Sequence, residues 1–185
     1  MVTIMASEIA VRYAQGLFEL SEEMNTVKQT KQEVETLQKV LSANPEVALF
    51  FRAVKVTKQE KRDFIDQVFG KTCSHELVSF LKLLIYKGRI NCLYEILDAY
   101  VMMADEKLGI VRAVVSSARP LDEKQMEQIR KALEKNENRT VILSNRTDPS
   151  LIAGIKVTVV NRVTDITMAT KIETMRHALL KGGQA

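Results

Sequence analysis

Cys73 and His75 stand two residues apart, the closest approach of a thiol and an imidazole in the sequence. Such a pair could begin a metal site or an activated thiolate. A structural zinc site needs four ligands and a catalytic one three plus an open position, and no second Cys/His pair is present. The pair therefore reads as structural, with Cys73 just before a helix and His75 in its first turn. Cys92 reads as a small apolar filler near a helix start, and His177 as a solvent-side residue of the last helix. The acidic pairs Glu22-Glu23 and Asp105-Glu106 are sequence neighbours. Neighbours on a helix diverge by about 100°, so neither pair converges as a general acid and base must; both read as solvated faces. None of the seven glycines forms G-x-G-x-x-G or G-x-x-x-x-G-K-[ST], so no phosphate cradle is indicated. No catalytic residue, metal site or cofactor is expected.

The elements that carry these residues change character at Gly109. Before it the chain reads as helix after helix. Ile9, Tyr13, Leu17, Leu20 and Met24 recur at helical spacing, as do Val27, Val34, Leu37 and Leu41. Asn44-Pro45-Glu46 has a cap, a proline at the first helical position and an acid in the first turn. Thr57 and Glu60 form a capping box ahead of Phe64, Ile65 and Val68. Ser74 caps a helix running to Tyr86 and stopped by Gly88, and a last helix runs from about Leu93 to Leu108. Residues 1–108 are thus expected to be an N-terminal six-helix bundle with short connections. Residues 109–185 are expected to be a C-terminal β-α-β-β-β-α domain, so the fold class is mainly α with a small α+β part. Its strands are Ile110–Val115, Val141–Leu143, Ile155–Val159 and Val163–Ile166. One helix opens at Pro120 and Asp122, with Gln125 completing the cap and Met126, Ile129 and Leu133 on its apolar face. A final helix carries Met168, Ile172, Met175 and Leu179.

Charge divides the chain at the same place. Residues 1–108 hold 14 Lys+Arg against 15 Asp+Glu, a net of −1, and residues 109–185 hold 13 against 8, a net of +5. A basic module serves nucleic acid, anionic lipid or an acidic protein surface, and the number does not choose among them. A small basic RNA-binding module is one reading. Against it, residues 109–185 contain no Phe, Tyr or Trp on which bases could stack. With 46% hydrophobic and 27% charged residues, the composition is that of a globular chain rather than a disordered one. The longest apolar stretch, Leu77–Tyr86, contains Lys82 and is shorter than the ~20 residues a membrane span needs, so no direct membrane insertion is expected. No signal peptide is visible, and two isolated cysteines point to a reducing compartment.

Two helices carry more apolar surface than a bundle helix requires. In the first, Ala6, Ile9, Ala10, Tyr13, Ala14, Leu17, Phe18 and Leu20 cover roughly 200° of the wheel, where a stripe of about 100° suffices. Arg12 falls with Glu8, Gln15, Glu19 and Glu22 on the charged side. Alanines at 6, 10 and 14 recur every four residues, where another helix could approach closely. In the helix after Ser74, Leu83 and Tyr86 interrupt a polar arc of Glu76, Ser79, Lys82 and Lys87. Such surplus is either buried deep in a large core or left as a groove for a partner, and the pattern leaves both open.

These residues resemble a known family. Ile9-Ala10-Val11-Arg12-Tyr13-Ala14-Gln15-Gly16-Leu17-Phe18-Glu19-Leu20 resembles the opening signature of F-type ATP synthase delta subunits, whose mitochondrial counterpart is the oligomycin-sensitivity-conferring protein. The resemblance continues in Lys87–Asn91, in Val114–Leu121 and in Asp148–Ile155, in the family's order. It departs at Asp165-Ile166-Thr167, where the family has Asp-Gly-Ser; Ile166 would resist a positive φ there. It departs again at Ala153-Gly154, where Gly-Gly is frequent. The resemblance implies a non-catalytic stator subunit of the proton-translocating enzyme, on the cytoplasmic face of the bacterial plasma membrane. It implies that residues 1–108 bind the N-terminal helix of an alpha subunit between the first and fifth helices. Ala10, Tyr13, Ala14, Leu17, Leu83 and Tyr86 are the positions carried over. It implies that residues 109–185 hold the C-terminal region of the b subunits, with Arg112, Lys156 and Arg162 as candidate contacts. No nucleic acid partner is implied.

Overall fold

In the computed structural model, residues 7–148, 151, 154–159 and 162–167 are described. The chain is mostly helical with one small sheet, and it divides into two compact units, Met1–Leu108 and Gly109–Ala185. The first holds α1 (Glu8–Glu23), α2 (Val27–Ala43), α3 (Pro45–Arg52), α4 (Lys58–Phe69), α5 (His75–Tyr86) and α6 (Leu93–Lys107), with a 3-10 turn at Ile90–Cys92. Local chemistry sets these boundaries. Asn25 takes the left-handed conformation (φ 55°) between α1 and α2. Pro45 occupies the first position of α3, where its missing N–H costs nothing. At α4 the Thr57 hydroxyl accepts from the Glu60 amide while the Glu60 carboxylate takes the Thr57 amide. The bonds that Thr57 donates from its amide and hydroxyl hold the Glu60 carboxyl below its usual range.

One continuous apolar core joins the six helices. Val34, Leu37 and Leu41 of α2, Ile65 of α4, and Leu77, Leu81 and Leu84 of α5 are buried in it, along with Ile96, Leu97 and Tyr100 of α6. Phe50, Phe51, Phe64 and Phe69 close one end, with ring centroids 4.8 to 6.5 Å apart. The Tyr100 hydroxyl donates to Ser21 Oγ at 3.0 Å, which in turn donates to the Phe18 carbonyl. Burial pushes the Tyr100 phenol up and keeps it neutral.

One expectation fails here. Asp105 is not on a solvated face: it is buried, 2.5 Å from the buried ammonium of Lys31. Lys31 lies on the inward stripe of α2 with Val27 and Val34, so its charge must be neutralised inside the bundle. Glu106 and Glu22 are exposed as expected, Glu22 pairing with Lys107 at the surface.

In the second unit β1 (Ile110–Ser117) is followed by α7 (Glu123–Glu137), β2 (Thr140–Thr147), β3 (Gly154–Val159) and β4 (Arg162–Thr167). The sheet order is β2-β1-β3-β4. β2 lies parallel to β1, with α7 in the crossover between them. β3 is antiparallel to β1, and β4 to β3. Val111, Ala113 and Val115 of β1, Val141 of β2 and Val157 and Val159 of β3 meet Ile129 and Leu133 of α7 on one sheet face. Asp122 and Gln125 form a capping box, and Asn138 ends α7 in the left-handed conformation. β2 runs beyond Leu143 through Ser144-Asn145-Arg146-Thr147. Polar residues are tolerated there because β2 is an edge strand whose ladder to β1 continues to Ser117↔Thr147. Asp165, Ile166 and Thr167 continue the ladder of β4, with Ile166 opposite Ile155, so no positive φ arises at Ile166. The final helix with His177, and Pro149, Ser150 and Asn161 of the expected turns, lie outside the described residues.

The buried ion pair generates a test. Asp105→Ala should lower the stability of the full chain by about 3–5 kcal/mol, because it leaves the buried Lys31 ammonium to the more distant Glu35 carboxylate, at 3.9 Å. Lys31→Met combined with Asp105→Leu should recover most of that loss. Urea denaturation of the three proteins measures both; a cost under about 1 kcal/mol for Asp105→Ala would show that Lys31 reaches water.

Candidate functional site

An apolar groove of about 760 Å³ lies between α1 and α5 in the first unit. Its α1 wall is Ile9, Arg12, Tyr13, Gly16, Leu17 and Leu20. Its α5 wall is His75, Glu76, Ser79, Phe80 and Leu83, with Arg89 just beyond the helix end.

The α1 wall follows from how that helix is anchored. The Ser7 hydroxyl caps its start by accepting from the Ala10 amide at 3.3 Å. Ala10, Ala14, Leu17 and Ser21 then form a buried stripe at i, i+4, i+7 and i+11. The Ser21–Tyr100 bond and the edge-on contact of Phe18 with Tyr100 hold that stripe on α6. Rotating by one residue gives Ile9, Tyr13, Gly16 and Leu20, a second stripe that the bundle leaves open except at Tyr13, which is half-buried against the core. Ile9 is 39% and Leu20 40% exposed. Gly16 lies between Tyr13 and Leu20 without a side chain, and a methyl group placed there would touch nothing within 4 Å.

The α5 wall is fixed at both ends. Ser74 caps the helix, and the Glu33 carboxylate of α2 accepts from both the Ser74 amide (2.9 Å) and its hydroxyl (2.6 Å). At the other end Gly88 adopts φ +68°, which lets the Arg89 amide reach the Leu84 carbonyl at 2.8 Å and the Gly88 amide reach the Ile85 carbonyl at 3.0 Å. That closure places Arg89 at the groove mouth. Leu77, Leu81 and Leu84 point inward and are almost wholly buried, while Leu83 is 43% exposed on the groove side.

The sequence expectations divide accordingly. Tyr13, Leu17 and Leu83 line the groove. Ala10 and Ala14 do not: both are fully buried, so the close helix approach that small residues permit is used inside the bundle, by α6. Tyr86 is exposed but lies outside the groove lining, its ring flanked by the ammonium groups of Lys58 and Lys87 at 5.7 and 5.6 Å. Arg12, Gly16, His75 and Arg89 are groove residues that the sequence pattern does not single out. The helix wheel puts Arg12 on the charged side, yet it sits one position from Tyr13 at the rim. Gly16 does carry a signal: a glycine in a helix interior disfavours the helix by about 1 kcal/mol and marks a place where something approaches.

In the second unit Arg112 and Lys156 share a sheet face by register, through Val114↔Thr158 and Ser116↔Lys156. The opposite face is the one that Val111, Ala113 and Val115 turn toward α7. Arg162 opens β4 as the register partner of Val159, so the pairing does not gather it with Lys156. Burial, and then the nearby Glu33 carboxylate, push the Cys73 thiol up, which disfavours a reactive thiolate. Among the described residues no three His, Cys, Asp or Glu side chains gather to hold a metal ion. None of the described helices is long and apolar enough to cross a membrane.

A helical unit with an open apolar groove, followed by a small mixed sheet, is the architecture of the described residues. Known proteins share it. The profile of the ATP synthase delta (OSCP) subunit family matches residues 9–179. ATP synthase subunit delta of Trichlorobacter lovleyi is 31% identical over 94% of this chain and 97% of its own length. That of Desulfitobacterium hafniense is 34% identical over 95% and 98%. A chain of the Toxoplasma gondii mitochondrial ATP synthase hexamer superposes with a TM-score of 0.77 over 94% of this chain and 98% of its own, at 23% identity, a likeness of fold. The chain belongs to the ATP synthase delta (OSCP) subunit family, whose members are non-catalytic, structural subunits of the ATP synthase.

Gly16→Ala should stabilise the full chain by about 0.5–1 kcal/mol, because it adds helix propensity where a methyl group meets no neighbour. A raised urea midpoint at unchanged slope is the expected result; a lowered midpoint would show that α1 needs the glycine for packing.

Proposed function

We propose that this chain is the stator link of a proton-translocating F-type ATP synthase, on the cytoplasmic face of a bacterial plasma membrane. It ties the catalytic head to the peripheral stalk so that the head resists rotor torque. The α1–α5 groove receives the amphipathic N-terminal helix of the alpha subunit. The observation that carries this is the exposed stripe Ile9, Gly16 and Leu20, with the half-buried Tyr13 among them, facing Leu83 across an apolar trough. An amphipathic helix supplies the complementary stripe. A connector under torque needs slow dissociation rather than chemistry, and burying several such side chains at about 1.5–3 kcal/mol each provides it.

The second unit holds the C-terminal region of the b subunits. Its net charge of +5, with Arg112 and Lys156 on one sheet face, supports an acidic protein partner. Arg162 remains a candidate contact. The absence of aromatic residues from positions 109–185 favours protein over RNA.

Leu83→Asp tests the groove. Binding of an alpha N-terminal peptide to the full chain should weaken at least about tenfold, while the melting temperature stays close to that of the unaltered protein. A large drop in melting temperature would identify Leu83 as core, and unchanged affinity would remove it from the contact. For the stalk, affinity for the b C-terminal region should fall as salt rises, since exposed charges are screened beyond about 8 Å at physiological ionic strength. Binding that is indifferent to salt would assign the contact to apolar surface.

A further inference from the structure

The groove has two electrically different ends. The Ser7 amide donates to the Glu95 carboxylate, which puts the start of α1 beside the start of α6. Glu22 pairs with Lys107, so the two helices also end together and run parallel. Only the six residues 87–92 join the end of α5 to the start of α6, so the end of α5 lies at the same end as the start of α1. The α1 and α5 walls are therefore antiparallel. Arg12 and Arg89 share one end of the groove, and Leu20, His75 and Glu76 share the other. Among the described residues, neither guanidinium has an ion-pair partner. Lys58 and Lys87 beside Tyr86 add to the positive end. Glu8 and Glu95 also lie near it, but neither lines the groove, and Glu95 is engaged by the Ser7 amide.

We infer that this polarity fixes the direction of the bound helix: its acidic end lies against Arg12 and Arg89, and its basic end against Glu76. The inference rests on the groove reading above. Ile9 to Leu20 spans roughly 16 Å at 1.5 Å per residue, so the trough holds about three turns of helix, enough for its two ends to meet different charges. Helices favour acids in their first turn and bases in their last. The occupant is thus an amphipathic helix with an acidic first turn, lying parallel to α1 and antiparallel to α5. An apolar stripe alone is nearly symmetric under end-to-end reversal; the charges at the rim remove that degeneracy.

Three synthetic helical peptides with one shared apolar stripe test this against the full chain at low salt. One carries acids in its first turn and bases in its last, one has these exchanged, and one has glutamine at all of them. Binding of the glutamine peptide tests the groove itself, and its failure to bind would overturn both readings. The acid-first peptide should bind more tightly than the base-first peptide. In the Arg12→Glu/Arg89→Glu protein the ratio of the two affinities should fall by about fivefold or more, the yield of two exposed charge pairs. Comparing the same peptides on two proteins cancels their intrinsic helicity. If the double variant fails to fold, Arg89→Gln alone should lower the ratio in the same direction. A ratio that is the same in both folded proteins would overturn the inference while leaving the groove reading intact.

Discussion

The packing of α1 on α6 is the constraint on which the rest depends. Ala10, Ala14, Leu17 and Ser21 are taken up by that contact, and the Ser21–Tyr100 hydrogen bond fixes its rotation. Since α1 has only one rotation compatible with that bond, Ile9, Tyr13, Gly16 and Leu20 must face away from α6. The groove is thus a consequence of how the core is made. A helix rotated by one residue would bury Ile9 and Tyr13 and bring Ala10 and Ala14 outward, closing the trough.

The opposite wall is held as firmly. α5 is tied to α2 through Ser74 and Glu33, and its far end is closed by the left-handed turn at Gly88. With both walls fixed by the fold itself, little ordering would remain to oppose docking of the proposed helix. The Lys31–Asp105 pair contributes by joining α2 to α6, so that the helices behind both walls share one polar and apolar frame. This arrangement suits a family whose members are structural subunits of a larger machine and perform no chemistry.

Local features are the legible ones. The capping boxes at Thr57/Glu60 and Asp122/Gln125, the cap of α5 at Ser74 and its stop at Gly88 all depend on residues within a few positions of one another. Features that depend on distant partners are not legible in this way. The four-residue spacing of Ala10 and Ala14 shows that they share a face, but not whether that face meets the bundle or a partner. Asp105 reads as surface until Lys31, far away in sequence, is known to oppose it. The parallel pairing of β2 with β1 depends on the crossover rather than on the strand's own composition, which is why the polar tail of β2 does not read as strand. Arg12 and Arg89 become groove residues only when α1 and α5 are brought together.

The most direct test is methyl NMR of the full chain titrated with an alpha N-terminal peptide. Methyl signals of Ile9, Leu20 and Leu83 should shift on binding, while those of the core residues Leu37, Leu41 and Leu97 stay in place. Shifts concentrated in the core, or confined to residues 109–185, would contradict the groove reading.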